Sequence, residues 1–175
     1  MNLEKLELEG VFGVKSEVSN DARGSFFRVF EAPLLESRFV INQVSVANNP
    51  VEKTLRGLHF QENPHAEAKL IQCVTGQIFD VIVDIQKDSP TFGNHLSLTL
   101  GPQQMYQGVF VPKGYAHGYL TMDSNSTLLY FMDQPYKPDF ARGIIWSDPT
   151  LKIDWPFDPV VISERDRNFK ELIHL

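Results

Sequence analysis

The chain is short of the residues that tie proteins to disulfides, membranes and nucleic acids. Cys73 is the only cysteine in 175 residues, which excludes an internal disulfide and any Cys-rich metal motif. No run of about 18 apolar residues occurs, so the sequence encodes no obvious spanning helix. Positive charge is also scarce: 16 Lys and Arg stand against 22 Asp and Glu, a net −6. That balance is the reverse of the basic footprint used on nucleic acid or anionic membranes, and neither partner is expected. Any anionic ligand must then be held by a local basic cluster. The Met1 end sets Glu4, Lys5, Glu7 and Glu9 among leucines instead of a basic segment before an apolar run, so a cytoplasmic location is expected.

What is present reads as β structure. At 42% hydrophobic and 22% charged residues, the chain can build one sizeable core, and a single domain over 1–175 is expected. Short runs rich in Val, Ile, Phe and Tyr recur between turn signals, the pattern of an all-β sandwich or barrel. Candidate strands are Val11 to Val18, Ser25 to Phe30, Phe39 to Ala47, Lys69 to Thr75, Gln77 to Ile85 and His95 to Leu100. Tyr106 to Val111, His117 to Met122, Thr127 to Met132 and Gly143 to Trp146 complete the set. Asn48-Asn49-Pro50, Asn63-Pro64, Gly101-Pro102 and Pro112-Lys113-Gly114 punctuate them. Helix is expected only at Pro33 to Ser37 and from Ser163 onward. In the Gln77 to Ile85 run, Ile78, Asp80, Ile82 and Asp84 share one face. Two carboxylates there predict a polar cavity or nearby cations.

One run concentrates chemistry. Leu55-Arg56-Gly57-Leu58-His59-Phe60-Gln61 is followed by Lys69, which sets a histidine able to take a proton near neutral pH beside an ammonium able to steady an oxyanion. Arg56, a planar fork of donors, suits a phosphate on the same substrate. Proton abstraction next to a carbonyl is the implied chemistry.

A second signal, Pro112-Lys113-Gly114-Tyr115-Ala116-His117, resembles the second signature of the cupin barrels. The His-x-His signature of metal-binding cupins is missing, and His59, His65 and Glu67 have the wrong spacing to replace it on one strand. No metal is expected. Further pieces then fall into order: Asp21-Ala22-Arg23-Gly24 with Phe26, Gly76 leading into Asp80-Val81-Ile82-Val83-Asp84, Ser89-Pro90-Thr91-Phe92-Gly93, Tyr130 with Tyr136, Trp146-Ser147-Asp148-Pro149 and Ser163-Glu164-Arg165-Asp166. Together they resemble the dTDP-4-dehydrorhamnose 3,5-epimerase family, a metal-independent branch of the cupins. The resemblance spans nearly the whole chain. It implies an all-β, cupin-like double-stranded β-helix, or jelly-roll barrel, with short peripheral helices.

The resemblance also implies roles. The family inverts carbons flanking the C4 ketone of a dTDP-4-keto-6-deoxyhexose without a cofactor. His59 matches the family's base, Asp166 the carboxylate that orients it, Lys69 the enolate partner and Tyr130 the acid on the opposite face. Arg56 and Arg23 match diphosphate contacts, and Arg165 stands where the family commonly has lysine. Phe26 and Tyr136 match aromatic contacts to a base, Gln43 a nucleotide or sugar contact, and His117 a substrate-contacting or supporting residue. A nucleotide-diphosphate sugar is the implied small-molecule partner. A homodimer with N-terminal strand exchange is the implied assembly, placing Arg23 and Phe26 near the partner's pocket.

Several of these residues also read as structure. Ser163-x-x-Asp166 is a helix-capping pattern, Lys69 can be a solvated strand-end lysine, and Tyr130 a core tyrosine with a satisfied hydroxyl. The stretch Gln43 to Thr54 departs from the family's Gln-x-Asn-x-Ser-x-Ser, and Ala141 falls where glutamate is usual. Those departures leave open 3,5-, 3-only or 5-only epimerisation, another nucleotide base, or a cupin-like module that binds a nucleotide sugar without turnover.

Overall fold

The computed structural model describes residues 1–32 and 39–174. The expected helix at 33–37 lies outside the described residues. Two antiparallel sheets face one another and carry nearly all of the regular structure. The first contains β1 (Asn2–Lys5), β2 (Phe12–Lys15), β10 (Gly108–Val111), β7 (Lys69–Thr75), β12 (Ser126–Met132) and β5 (Gln43–Asn49), in that spatial order. The second contains β13 (Ala141–Gly143), β6 (Thr54–Gln61), β11 (Tyr115–Thr121), β8 (Ile78–Asp84) and β9 (His95–Leu100), and β14 (Val161–Ile162) pairs in parallel with β6. From β7 to β12 the chain passes repeatedly between the sheets, which is the winding of a cupin-like jelly roll. A small hairpin of β3 (Ser19–Asp21) and β4 (Gly24–Phe26) forms a sheet of its own.

Residue alternation explains how each sheet buries two faces. Ile71, Cys73, Val109, Leu128, Ile78, Ile82 and Tyr119 come from both sheets and meet in the barrel interior. Their neighbours in sequence point the other way: Leu70, Phe110 and Phe131 pack outside the first sheet with Phe30 and Phe39. Leu58, Val81, Val83 and Ala116 pack outside the second sheet against Ile144, Leu151 and Leu172 of the C-terminal segment. Each fully buried Leu, Ile or Val contributes about 1.5–3 kcal/mol. These outer layers fix the position of the C-terminal segment, and with it the site.

Several boundaries differ from expectation for local reasons. β4 ends at Phe26, and residues 29–30 serve as packing rather than as strand. In place of a strand from Gly143 to Trp146, pairing covers Ala141–Gly143, with Ile144 forming an isolated bridge to Lys170 and exchanging backbone hydrogen bonds with Leu58. The Arg56 to Gln61 run, not among the expected strands, lies inside the eight-residue β6.

Asp84 is fully buried on the face that was expected to meet a cavity or cations. It meets neither: its Oδ2 accepts from the hydroxyls of Ser89 at 2.5 Å and Thr91 at 2.6 Å, and its Oδ1 from the Gln86 amide at 2.9 Å. Burial pushes its pKa up, but these donors outweigh that and bring it below the usual carboxylate value. The carboxylate pins the following turn to the barrel wall.

Candidate active site

The site is built around an irregularity in β6. Between β6 and β11, the pairs Tyr119↔Arg56 and His117↔His59 enclose one more residue on β6 than on β11, which is a bulge that re-aims side chains. Gly57 makes it feasible. Its φ is +123°, and a Cβ there would lie 2.5 Å from Gly118 Cα and 2.9 Å from the His117 carbonyl oxygen, so only glycine fits. Leu58 then turns to the outer core while the His59 ring stays 38% exposed.

The C-terminal segment supplies the ring's partner. β14 runs beside the start of β6, with Val161 opposite Thr54 and Ile162 opposite Leu55, and leads into a four-residue helix α1 (Glu164–Arg167). Ser163 caps α1 by accepting from the Asp166 amide at 3.1 Å. The cap and the site thus use the same residues: Asp166 Oδ1 lies 2.8 Å from His59 Nε2, and its Oδ2 accepts from the Gly57 amide at 3.1 Å. Burial raises the Asp166 pKa, but the His59 ring, by hydrogen bond and by charge, with the Gly57 amide and Ser163, brings it below the usual value. The carboxylate therefore stays ionised and orients the ring. A cavity of about 370 Å³ opens here, with Arg56, His59, Ser163, Arg165 and Asp166 in its lining.

Lys69 is not a solvated strand end. Its side chain is 8% exposed, and its Nζ lies 2.9 Å from Glu67 Oε1 and donates to the backbone carbonyl of His59 at 3.4 Å. That last bond crosses from β7 to β6, so the ammonium sits between the sheets beside His59. Glu67 is held in turn by Gln61 Nε2 at 3.1 Å.

Tyr130 faces the same interior from β12. Its ring meets the His117 ring edge-on at 6.1 Å, and His117 is buried with Nε2 2.7 Å from Asp80 Oδ2. Burial raises the Tyr130 pKa well above that of a free phenol, helped by Tyr119 and Asp80 and opposed by the Arg56 charge. Tyr119 is likewise pushed up, chiefly by burial, to about 12. Both phenols hold their protons at neutral pH.

Gln43, Tyr136 and Arg165 form a rim near His59. Gln43 Oε1 accepts from the Tyr136 amide at 2.9 Å, and Arg165 Nη1 donates to the Tyr136 hydroxyl at 3.2 Å. The Phe169 ring lies under the Arg165 guanidinium and edge-on to His59. Arg23 and Phe26 are not joined to this group. They sit on the β3–β4 hairpin with the Arg23 side chain 90% and Phe26 79% exposed, and Arg23 pairs with Asp21.

Sequence reasoning missed Glu67, Asp80, Asn49, Tyr119 and Phe169 as parts of the site. A signal existed for two of them. Glu67 and Lys69 share the two-residue spacing of one extended face, and Asp80 was the odd carboxylate on an apolar strand.

The model of the dTDP-4-dehydrorhamnose 3,5-epimerase family matches residues 5–174. The chain belongs to this family. An epimerase of that name from Methanothermobacter thermautotrophicus is 38% identical, with 96% of this chain and 92% of the relative covered. The Bacillus anthracis enzyme, solved with TDP and PPi bound, superposes with a TM-score of 0.90 at 34% identity, covering 97% of this chain and 98% of that one. A 3'-monoepimerase from Streptomyces bikiniensis, solved with dTDP-quinovose, has a TM-score of 0.88 at 28% identity, covering 99% and 88%. As a family epimerase the chain is an isomerase, and its fold is the family's jelly roll. Among the described residues no helix is long and apolar enough to cross a membrane.

Proposed function

We propose that this protein inverts C3 and C5 of dTDP-4-dehydro-6-deoxy-D-glucose to give dTDP-4-dehydro-L-rhamnose, with His59 as base, Asp166 as its orienting carboxylate, Lys69 as enolate partner and Tyr130 as acid. The observation that carries this reading is the oriented, solvent-reachable His59–Asp166 pair with a buried ammonium at the base's own carbonyl. The C4 ketone acidifies the hydrogens on its two neighbours. His59 takes one proton, the C–H electron pair moves toward the ketone oxygen, and the Lys69 ammonium stabilises the enolate. Tyr130 then gives its phenolic proton to the same carbon from the other face. No net oxidation occurs, so the chemistry calls for no redox cofactor.

Arg56, an exposed residue that donates through Nε to Asn49, fits a diphosphate. Gln43, Tyr136 and Arg165 fit the sugar and base end, and the buried His117 fits a supporting role. The exposed Arg23 and Phe26 fit a homodimer in which the N-terminal region reaches the partner's pocket, in a cytoplasmic enzyme supplying deoxysugar for cell-surface polysaccharide. The likeness to a 3'-monoepimerase keeps a single-carbon outcome as the second reading.

Incubation with the 4-keto sugar nucleotide in D₂O, followed by NMR of the sugar, tests the proposal. Deuterium at both C3 and C5 is expected, with inversion. Deuterium at one carbon assigns a monoepimerase, and none, with folded protein, removes the thymidine-linked substrate.

A further inference from the structure

An ammonium has three donors and no acceptor. On Lys69 the chain takes two of them: Nζ lies 2.9 Å from Glu67 Oε1 and donates to the His59 carbonyl at 3.4 Å. The third is left for a substrate oxygen. Both side chains of the pair are only 8% exposed, and an ammonium with so little water around it is costly unless a carboxylate answers it.

That carboxylate is held from two directions. The backbone between the pair is clamped, since the Ala68 amide donates to Asp133 Oδ1 at 2.8 Å and the Ala68 carbonyl accepts from the Asp133 amide at 3.2 Å. Behind the carboxylate lies the buried Gln61, whose Nε2 donates to Glu67 Oε2 at 3.1 Å. The Gln61 side chain cannot be turned the other way, because its Oε1 accepts from the Lys137 backbone amide at 2.6 Å and a backbone N–H can only donate. Its Nε2 also reaches the carbonyls of His65 at 3.1 Å and Pro135 at 3.4 Å. The loop that carries Tyr136 is therefore joined to the ammonium by bonds of fixed direction, from Lys137 to Gln61, from Gln61 to Glu67, and from Lys69 to Glu67.

We infer that Glu67 is a positioning residue for Lys69: its carboxylate occupies one ammonium donor and, with the His59 carbonyl, presents the remaining donor to the ketone oxygen on which the enolate forms. The inference rests on the epimerase reading of the site. Charge on that oxygen is small in the bound ketone and large in the enolate, so a well-placed donor counts in proton removal far more than in binding. Without Glu67 the flexible stem of Lys69 is free to turn, and the donor is no longer in place when the charge develops.

The test is a double-mutant cycle of Glu67→Leu with Lys69→Met, followed by solvent deuterium wash-in and by inversion of the dTDP-4-keto sugar. Glu67→Leu should lower wash-in and inversion together by about tenfold or more, with KM within about threefold. Lys69→Met should lower both by about 10²–10³-fold. Adding Glu67→Leu to Lys69→Met should cost less than about twofold more, because no ammonium is left to place. Glu67→Gln, which keeps an acceptor for the ammonium, should return wash-in to within about fivefold of wild type. No loss in Glu67→Leu, a further loss of about tenfold in the double variant, or a Glu67→Gln as impaired as Glu67→Leu overturns the inference. If Glu67→Leu does not fold, Glu67→Asp, which keeps the charge but withdraws the acceptor by one methylene, takes its place in the cycle and must show the same non-additivity, or the inference falls. Wild-type protein without exchange would remove the epimerase reading and this inference with it, whereas normal wild-type exchange beside an additive cycle removes only the role of Glu67.

Discussion

Two histidine–carboxylate pairs stand side by side on β6 and β11, since His59 and His117 are register partners. Their heavy-atom distances are nearly the same, 2.8 Å for His59–Asp166 and 2.7 Å for His117–Asp80. Their surroundings are not. The first ring is 38% exposed and its carboxylate is bonded at both oxygens, whereas the second ring is 3% exposed and Asp80 Oδ1 has no bonding partner among the described residues. A group that exchanges protons with a substrate needs access, and only the first pair has it. The second pair backs the interior wall against which Tyr130 packs. The same two side chains thus suit proton exchange or architecture according to what surrounds them.

The sharpest way to break this comparison is to remove each ring in turn. His59→Ala should reduce deuterium exchange at both sugar carbons by about 10²–10⁴-fold, with little change in unfolding midpoint, because the ring is already open to solvent. His117→Ala should do the opposite in kind. It leaves Asp80 buried without its partner, and loss of one member of a buried pair costs about 3–5 kcal/mol, read from urea unfolding. Should His59→Ala keep near-normal exchange, the base lies elsewhere, and the contrast between the pairs carries no functional meaning. Asp166→Asn removes both the charge and the orienting acceptor and should lower turnover by up to about 10⁴-fold while wash-in and inversion fall together.

The contrast also shows where sequence was legible. The β pattern followed from alternation and the jelly roll from ordered motifs that resemble a family, and the same motifs picked out His59, Lys69, Tyr130 and Asp166 as candidates. The pairing of Asp166 with His59 came from the resemblance and not from spacing. Nothing local in sequence joins Asp166 to His59, 107 positions away; the pairing depends on β14 lying along β6 and on a glycine bulge whose need for positive φ shows only in the fold. Ser163-x-x-Asp166 looked like a choice between cap and catalytic partner, and it is a cap whose third residue turns its carboxylate to the ring. Lys69 also read as a solvated strand end, because charge at a strand start normally means solvent. Here Glu67, drawn in by Gln61, allows the ammonium to be buried.

The smallest expected effect concerns acid stability. Burial alone would raise the Asp166 pKa, yet the His59 ring, the Gly57 amide and Ser163 bring it below its ordinary 3.8. A carboxyl whose folded pKa is depressed stabilises the fold fully above its unfolded value, and that contribution is lost as pH falls through the folded value. Urea midpoints should therefore decline below about pH 4. Asp166→Asn should flatten part of that decline, and only part, because Asp84 and Asp148 are depressed in the same direction by donors of their own. His59→Ala separates the causes further. If the ring dominates, its removal flattens the acid limb nearly as much as loss of the carboxylate does. A His59→Ala curve parallel to wild type would instead assign the depression to Gly57 and Ser163, and the accessible pair would owe its order to the backbone bulge and the helix cap more than to the attraction between its own two members.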